Sequence, residues 1–323
     1  MAAKSTIAFL LAGWIVLGSD PSRGQSETED LPAATTIAQM AHASVVIVEQ
    51  WKSQPKKERY ALFSGFFVES PDARKPWVLG YLANYETSDS FQIALGRTMV
   101  EGKLIALDPK INLALFQLSA PAERPFLKVG ASSPRAAESG NPIYVVGAGA
   151  SEGGPASQGR FACRESVSPQ TSSLLRLHLK IDQGSVGSPV FDEKKQLIGL
   201  LGLPIKHARD SFHAIPTERL AKILNDVRAH GKPVKALLGI VIQESSNAPL
   251  ILGCRENSPA SAAGLAANDL ILSLGQTKIT TLQELIDAIE LLEADKEIEI
   301  KVLRGQQFKT LKITPRLKPE VSI

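Results

Sequence analysis

Histidine is scarce in this chain. Five occur in 323 residues, His42, His178, His207, His213 and His230, so residues 43–177 contain none. Imidazole chemistry is excluded across that stretch, and no Cys/His spacing suggests a metal site, so neither a metal nor a cofactor is expected. Cysteine is scarcer still. Cys163 and Cys254 rule out a disulfide-framed miniature fold and are expected to be buried free thiols in different domains. A bond between them needs close Cα atoms, which spacing cannot establish. Charge of one sign is also missing: 36 Lys and Arg against 33 Asp and Glu leave +3, so nucleic acid is not an expected partner. The longest apolar stretch near the start, residues 7–18, has 12 residues. A membrane span needs about 20.

That stretch follows Lys4 and precedes the polar SDPSRGQSETED, which is the layout of a secretory signal peptide. Residues 1–24 are assigned to the signal, implying export to the periplasm or the medium, with no membrane span after cleavage. An uncleaved anchor or a buried helix is the alternative. Residues 25–36 are expected to be a flexible segment. Hydrophobic residues make up 44% and charged residues 21%, the balance of a globular chain, and the length suggests about two domains.

From residue 44 to about 203, short apolar or alternating runs such as SVVIVEQW, YALFSGFFVES, INLALFQL and QLIGLLGLP are split by turn clusters such as SPDARK and DEKK. This predicts an antiparallel β-sandwich or barrel. In the clearest alternation Leu175, Leu177, Leu179 and Ile181 share a face, and His178 points to the polar side as an exposed strand residue. After Pro216 the period becomes helical, with Leu220, Ile223, Leu224 and Val227 on one face and a stop at Gly231. A linker at 233–236 leads to a second unit. It holds strands LLGIVIQE, LILGCREN and DLILSLG, a helix over 282–292, and strands EIEIKVLR and QFKTLKITP. That helix opens on a capping box, Thr281 with Glu284, and presents Leu282, Leu285, Ile286, Ile289 and Leu292.

Five segments of the first unit and three of the second together resemble the HtrA/Deg family. Ser64, Gly65, Phe66 and Phe67 resemble its GSGF strand, and Asp108 through Asn112 to Ala114 resemble the segment that carries the triad aspartate. Val129 to Ser132 resemble the LGDS turn, residues 140–147 (GNPIYVVG) the passage after it, and Phe212 to Pro216 the FAIP strand. Leu237 to Ile240, the SPASAAGL turn and NDLI resemble a PDZ domain. The resemblance covers residues 44–315 and implies a mainly β fold, a trypsin-like double β-barrel over 37–232 followed by a small α+β PDZ domain over 237–316, with a tail at 317–323.

A serine protease needs a hydroxyl nucleophile, an imidazole and an orienting carboxylate. At the positions matched to the family's motifs this chain has Val186, Glu86 and Asn112. Valine offers no hydroxyl, the amide of Asn112 carries no charge, and Glu86 is expected to be a solvated loop carboxylate. The backbone N–H groups of Gly184 and Val186 retain the position of an oxyanion hole. Ser185 and Ser188 flank the slot, and a slip to Ser185 requires a rebuilt turn and still lacks a histidine. His213 is expected to be structural, His207 to lie in a loop, and the glycine-rich residues 147–154 to form a surface loop, since they lack a phosphate-loop ending.

What the resemblance leaves is peptide binding. A PDZ domain captures a C-terminal segment by strand addition. Here Leu238, Gly239 and Ile240 meet the carboxylate, Val241 and Ile242 continue the pairing edge, and Leu285 and Ile289 line the helix wall; alternatively LLGI is only a strand of a packed unit. The expectation is an exported pseudoprotease that binds C-terminal peptides or unfolded proteins as an adaptor or holdase in protein quality control, in a homo-oligomer that the resemblance makes trimeric. The alternatives are an active endopeptidase with a rearranged catalytic site and a structural partner with a closed groove.

Overall fold

A computed structural model describes residues 31–52, 58–130, 138–148, 156–168, 171–181, 185–243 and 247–318. The signal, Gly184 and the glycine-rich residues 149–154 lie outside the described residues.

Strands β1 (Val45–Lys52), β2 (Glu58–Val68), β3 (Trp77–Tyr81), β4 (Ser90–Leu95), β5 (Thr98–Asp108) and β6 (Leu113–Leu118) close a barrel in the order β1-β2-β3-β6-β5-β4. A second barrel, ordered β10-β11-β12-β9-β8-β7, is built from β7 (Pro142–Val145), β8 (Ser157–Glu165), β9 (Leu174–Leu179), β10 (Pro189–Asp192), β11 (Leu197–Pro204) and β12 (Ser211–Pro216). All pairings within them are antiparallel. Alternation explains the filling, because every second side chain of a strand points inward. Val48, Ile93 and Phe116 fill the first barrel, and Leu175, Leu177, Val190 and Leu201 the second. On β9 the alternation is as expected, with His178 exposed between Leu177 and Leu179.

A third apolar cluster lies outside both barrels, where Phe66, Leu79, Tyr144 and Leu200 meet two helices. Helix α2 (Thr217–His230) contributes Leu220, Ile223, Leu224 and Val227 to it. Helix α1 (Leu31–Ala41) contributes Ala34, Ile37, Ala38 and Ala41. Residues 31–36 therefore correct the expectation of a flexible segment. The stripe at i, i+3, i+4 and i+7 is present but made mainly of alanine, and burial against the barrels makes it decisive.

The third unit has β13 (Ala236–Leu237), β14 (Ile240–Ile242), β15 (Ile251–Cys254), α3 (Pro259–Ala262), β16 (Asp269–Leu274), β17 (Thr277–Lys278), α4 (Leu282–Glu290), β18 (Ile298–Arg304), β19 (Gln307–Ile313) and β20 (Arg316–Leu317). Ile251, Ile271, Leu285, Ile300 and Val302 are fully buried in its core. Asp269 is fully buried too, and Arg304 donates to both its oxygens over 2.6 and 2.8 Å. Two boundaries differ from expectation. Ala236 and Leu237 pair with Leu317 and Arg316, so the linker's end and the tail's beginning close the unit as a ribbon. The Val234 N–H is held by Asp226 Oδ2 at 3.1 Å. Both cysteines are free, but neither is buried, which corrects the expectation: β8 turns Cys163 outward, and Cys254 at the end of β15 is half-buried.

Candidate functional site

The turn that carries Val186 is pinned to the first barrel. The Ser64 N–H donates to the Val186 carbonyl over 2.7 Å, and the Gly187 N–H donates to the Leu201 carbonyl on the adjacent strand β11 over 2.7 Å. Gly187 has φ +90, and a Cβ there would stand 1.9 Å from the Ser64 carbonyl oxygen. Only glycine allows that approach. Ser185 and Ser188 are both buried, and among the described residues the Ser188 hydroxyl has no partner. Two imidazoles of the second barrel are engaged elsewhere: His178 Nδ1 meets Ser211 Oγ at 2.8 Å, and His213 Nε2 meets Glu165 Oε1 at 2.8 Å.

Asn112 sits between β5 and β6 with φ 55, a left-handed conformation that asparagine tolerates. Its Nδ2 donates to the Tyr81 hydroxyl over 3.0 Å, and its carbonyl accepts from the Leu82 N–H over 2.8 Å. Tyr81 ends β3. A Cβ at Gly187 would come within 3.4 Å of its backbone N, and one at Gly202 within 3.2 Å of its ring. Tyr81 therefore joins the Asn112 turn and the Val186–Gly187 turn. Its ring, Asn112, Gly202 and His213 line a cavity of about 180 Å³. Burial pushes the Tyr81 phenol above its ordinary range, against the opposite pull of the Asn112 amide.

Glu86 is not brought to this cavity. It lies on the loop after β3, ion-paired to Lys52 at 2.8 Å with its side chain 67% exposed. Its N–H is held by Asp89 Oδ2 at 3.0 Å. The structure thus joins Asn112 and the Val186 turn through Tyr81 and leaves Glu86 outside. No sequence signal marked Tyr81, an aromatic at the end of an apolar strand.

The second candidate site is a groove of about 410 Å³ on the third unit. It runs along Leu238, Gly239, Ile240, Val241 and Ile242, with Ile286 and Ile289 of α4 opposite. Gly239 has φ +80, and a Cβ would stand 2.2 Å from that of Ser258, so the turn between β13 and β14 depends on glycine. Strand β14 pairs with β15 on one side. Leu285 departs from expectation: it is fully buried in the core, and Ile286 takes the wall position. One residue turns a helix by about 100°, so of two adjacent apolar residues one faces the sheet and the other the groove. The capping box is present, with Thr281 Oγ1 accepting from the Glu284 N–H over 3.2 Å and the Glu284 carboxylate accepting in return over 3.3 Å.

The groove abuts the barrels. Asp287 accepts from the Ser173 N–H over 2.7 Å, and Gln283 Nε2 donates to the Thr171 carbonyl over 2.9 Å. Arg219 of α2, itself buried, donates to Glu290 over 3.1 Å and to Asp108 over 2.8 Å. Burial opposes ionisation of Glu290, but Arg219 and Lys235 outweigh it and hold the carboxyl below its ordinary range.

Residues 67–200 match the model of a trypsin-like peptidase domain, and residues 236–314 match that of a PDZ domain. A probable periplasmic serine endoprotease, DegP-like, of Ectopseudomonas mendocina is 25% identical over 82% of this chain and 58% of its own length. The protein of that description from Rickettsia conorii is 24% identical over 76% of this chain and 52% of its own. The chain thus spans little more than half the length of these relatives. Among solved structures, the HtrA-type protease AlgW with a decapeptide superposes with a TM-score of 0.62 at 17% identity, covering 88% of this chain and 98% of that one. A serine endoprotease from Yersinia pestis gives 0.58 at 18% identity, with the same coverage. Two barrels of the trypsin-like type followed by a PDZ domain, in that order and over nearly the whole described chain, make this an HtrA/Deg-type protein.

Proposed function

We propose that the protein is an exported pseudoprotease that binds the C-termini of peptides or unfolded proteins through its PDZ groove, as an adaptor or holdase in protein quality control. The observation that carries the reading is Val186 at the turn pinned to Ser64, with the neighbouring Asn112 bonded to a phenol. Acyl transfer needs a nucleophile with a base within hydrogen-bond reach. Valine supplies neither an attacking atom nor a proton to remove. Loss of triad members lowers turnover on the order of a million-fold. Export is supported by the signal-like residues 1–18 and by the periplasmic description of the relatives. A homo-oligomer, trimeric by resemblance, belongs to this reading.

The groove supplies what remains. The turn at Gly239 and strand β14, facing Ile286 and Ile289, suit an added strand whose carboxylate meets backbone N–H groups near Leu238, Gly239 and Ile240. Isothermal titration of the full chain with apolar peptides bearing a free carboxylate is expected to show binding that C-terminal amidation abolishes; equal affinity after amidation refutes the mode. A fluorophosphonate probe and an unfolded-casein assay test the rival reading, an endopeptidase with a rearranged site, which the names of the relatives favour. Labelling that disappears in Ser185→Ala would establish that rival.

A further inference from the structure

The carboxylate end of the groove is not made by the PDZ domain alone. Lys110, from the barrel turn between β5 and β6, lines it together with Lys235, Arg255 and Lys318, and Glu290 is the carboxylate among its lining residues. Backbone bonds tie Arg255 to the turn at Gly239 and Lys318 to Lys235. The Arg255 N–H donates to the Gly239 carbonyl and the Lys318 N–H to the Lys235 carbonyl, each over 2.8 Å. Lys110 arrives from the other domain, its N–H held by Asp108 Oδ1 at 3.1 Å.

Glu290 does not neutralise this ring. Its Oε2 is already taken by Arg219 at 3.1 Å, and Lys110 Nζ stands 3.9 Å from its Oε1. Four cations stand against Glu290 and the nearby Asp108, and Arg219 already donates to both carboxylates, so the groove mouth keeps a surplus of positive charge beside apolar walls. Burial pushes the Lys235 ammonium below its ordinary range against the pull of Glu290 and Asp108, and the nearby Lys110 pushes the same way. Two ammonium groups held close in a half-dry groove are unfavourable alone and favourable around an anion.

We propose that Lys110 of the barrel and Lys235 form an anion subsite at the carboxylate end of the groove, so that the full chain selects peptides with an aspartate or glutamate next to the C-terminal residue. This rests on the reading that the groove holds C-termini. In an added strand successive side chains alternate, so when the last one enters the apolar groove its neighbour faces the other way. Its carboxylate adds a second negative charge beside the terminal one, at the end of the groove lined by Lys110 and Lys235. A side-chain carboxylate there shares the surplus charge with the terminal one.

The test uses the full-length chain and two peptides that differ only by Asp or Asn at the penultimate position, each also prepared as a C-terminal amide. Titration is expected to favour the Asp peptide by about fivefold, the effect of a partly exposed ion pair. In Lys110→Met the ratio is expected to fall towards one, and in Lys110→Arg to persist. An Asp/Asn ratio near one in the wild type, or a preference unchanged in Lys110→Met, overturns the subsite while the groove reading stands. If neither free-carboxylate peptide binds, or the amides bind as well, the groove reading itself fails and the subsite with it.

Discussion

The side-chain amide of Asn112 donates to the hydroxyl of Tyr81 over 3.0 Å, and the backbone returns the contact through the Leu82 N–H. An amide and a phenol therefore meet where the HtrA/Deg resemblance implies a carboxylate turned towards an imidazole. Neither is a base near neutral pH. Burial raises the phenol's pKa further from that range, and the ring packs against Gly202 beside the Val186 turn. Tyr81 and Asn112 thus line the cavity between the two barrels, together with Gly202 and His213.

Simple restoration of the residue types is expected to fail. The triple variant Glu86→His, Asn112→Asp, Val186→Ser should hydrolyse unfolded casein no faster than the wild type. Position 86 lies on an exposed loop held by Lys52 and Asp89, and Tyr81 stays in the cleft. An effective base must come within about 3 Å of its proton. Casein cleavage well above background would show that the loop reaches the cleft and overturn this geometry.

Tyr81→Phe removes one half-buried hydrogen bond and leaves Asn112 without its hydroxyl partner. The expected loss is about 1 kcal/mol in urea denaturation. Since the folded pKa of Tyr81 is raised above the unfolded value, its contribution is complete below the ordinary phenol range and declines as pH rises through the folded pKa. The wild type should accordingly lose stability at alkaline pH more steeply than Tyr81→Phe. Parallel curves would mean that the phenol is solvated.

Two glycine substitutions separate the domains. In Gly187→Ala the new Cβ meets the backbone oxygen of Ser64 at 1.9 Å, a contact that no side-chain rotation relieves. It adds to the cost of about 1–3 kcal/mol for the left-handed backbone itself. The barrels are expected to melt early, with the PDZ transition retained. Gly239→Ala drives its Cβ to 2.2 Å from the Cβ of Ser258 and is expected to abolish peptide binding with the barrel transition retained. Calorimetry and titration on both variants check the pair; wild-type behaviour in either refutes the corresponding approach.

The architecture was legible because it rests on local signals. Alternation on β9, the helical stripe of α2 and the Thr281–Glu284 capping box each state their structure within a few residues. Helix α1 was less legible, since alanine is a weak signal of burial until two barrels stand beside it. Leu238 to Ile242 and Ile289 line one cavity, and Ile286 takes the wall position where Leu285 is expected. Lys110 carried no signal at all, because its relevance comes from a neighbour 125 residues further on, Lys235.

By itself, the sequence determined which chemical groups exist: no imidazole between residues 43 and 177, a valine at residue 186, and a glycine that lets a strand turn at residue 239. Composition cannot be altered by folding, so those absences bind any structure the chain adopts. Tertiary structure decided which groups meet. Asn112 is 31 residues from Tyr81 and Val186 is 122 from Ser64, yet strand pairing within the first barrel and packing of one barrel on the other set these pairs in contact, while Glu86, only five residues after Tyr81, is carried away on a loop. Hydrogen bonds and charges act over a few ångströms of space, and distance along the chain does not measure that space.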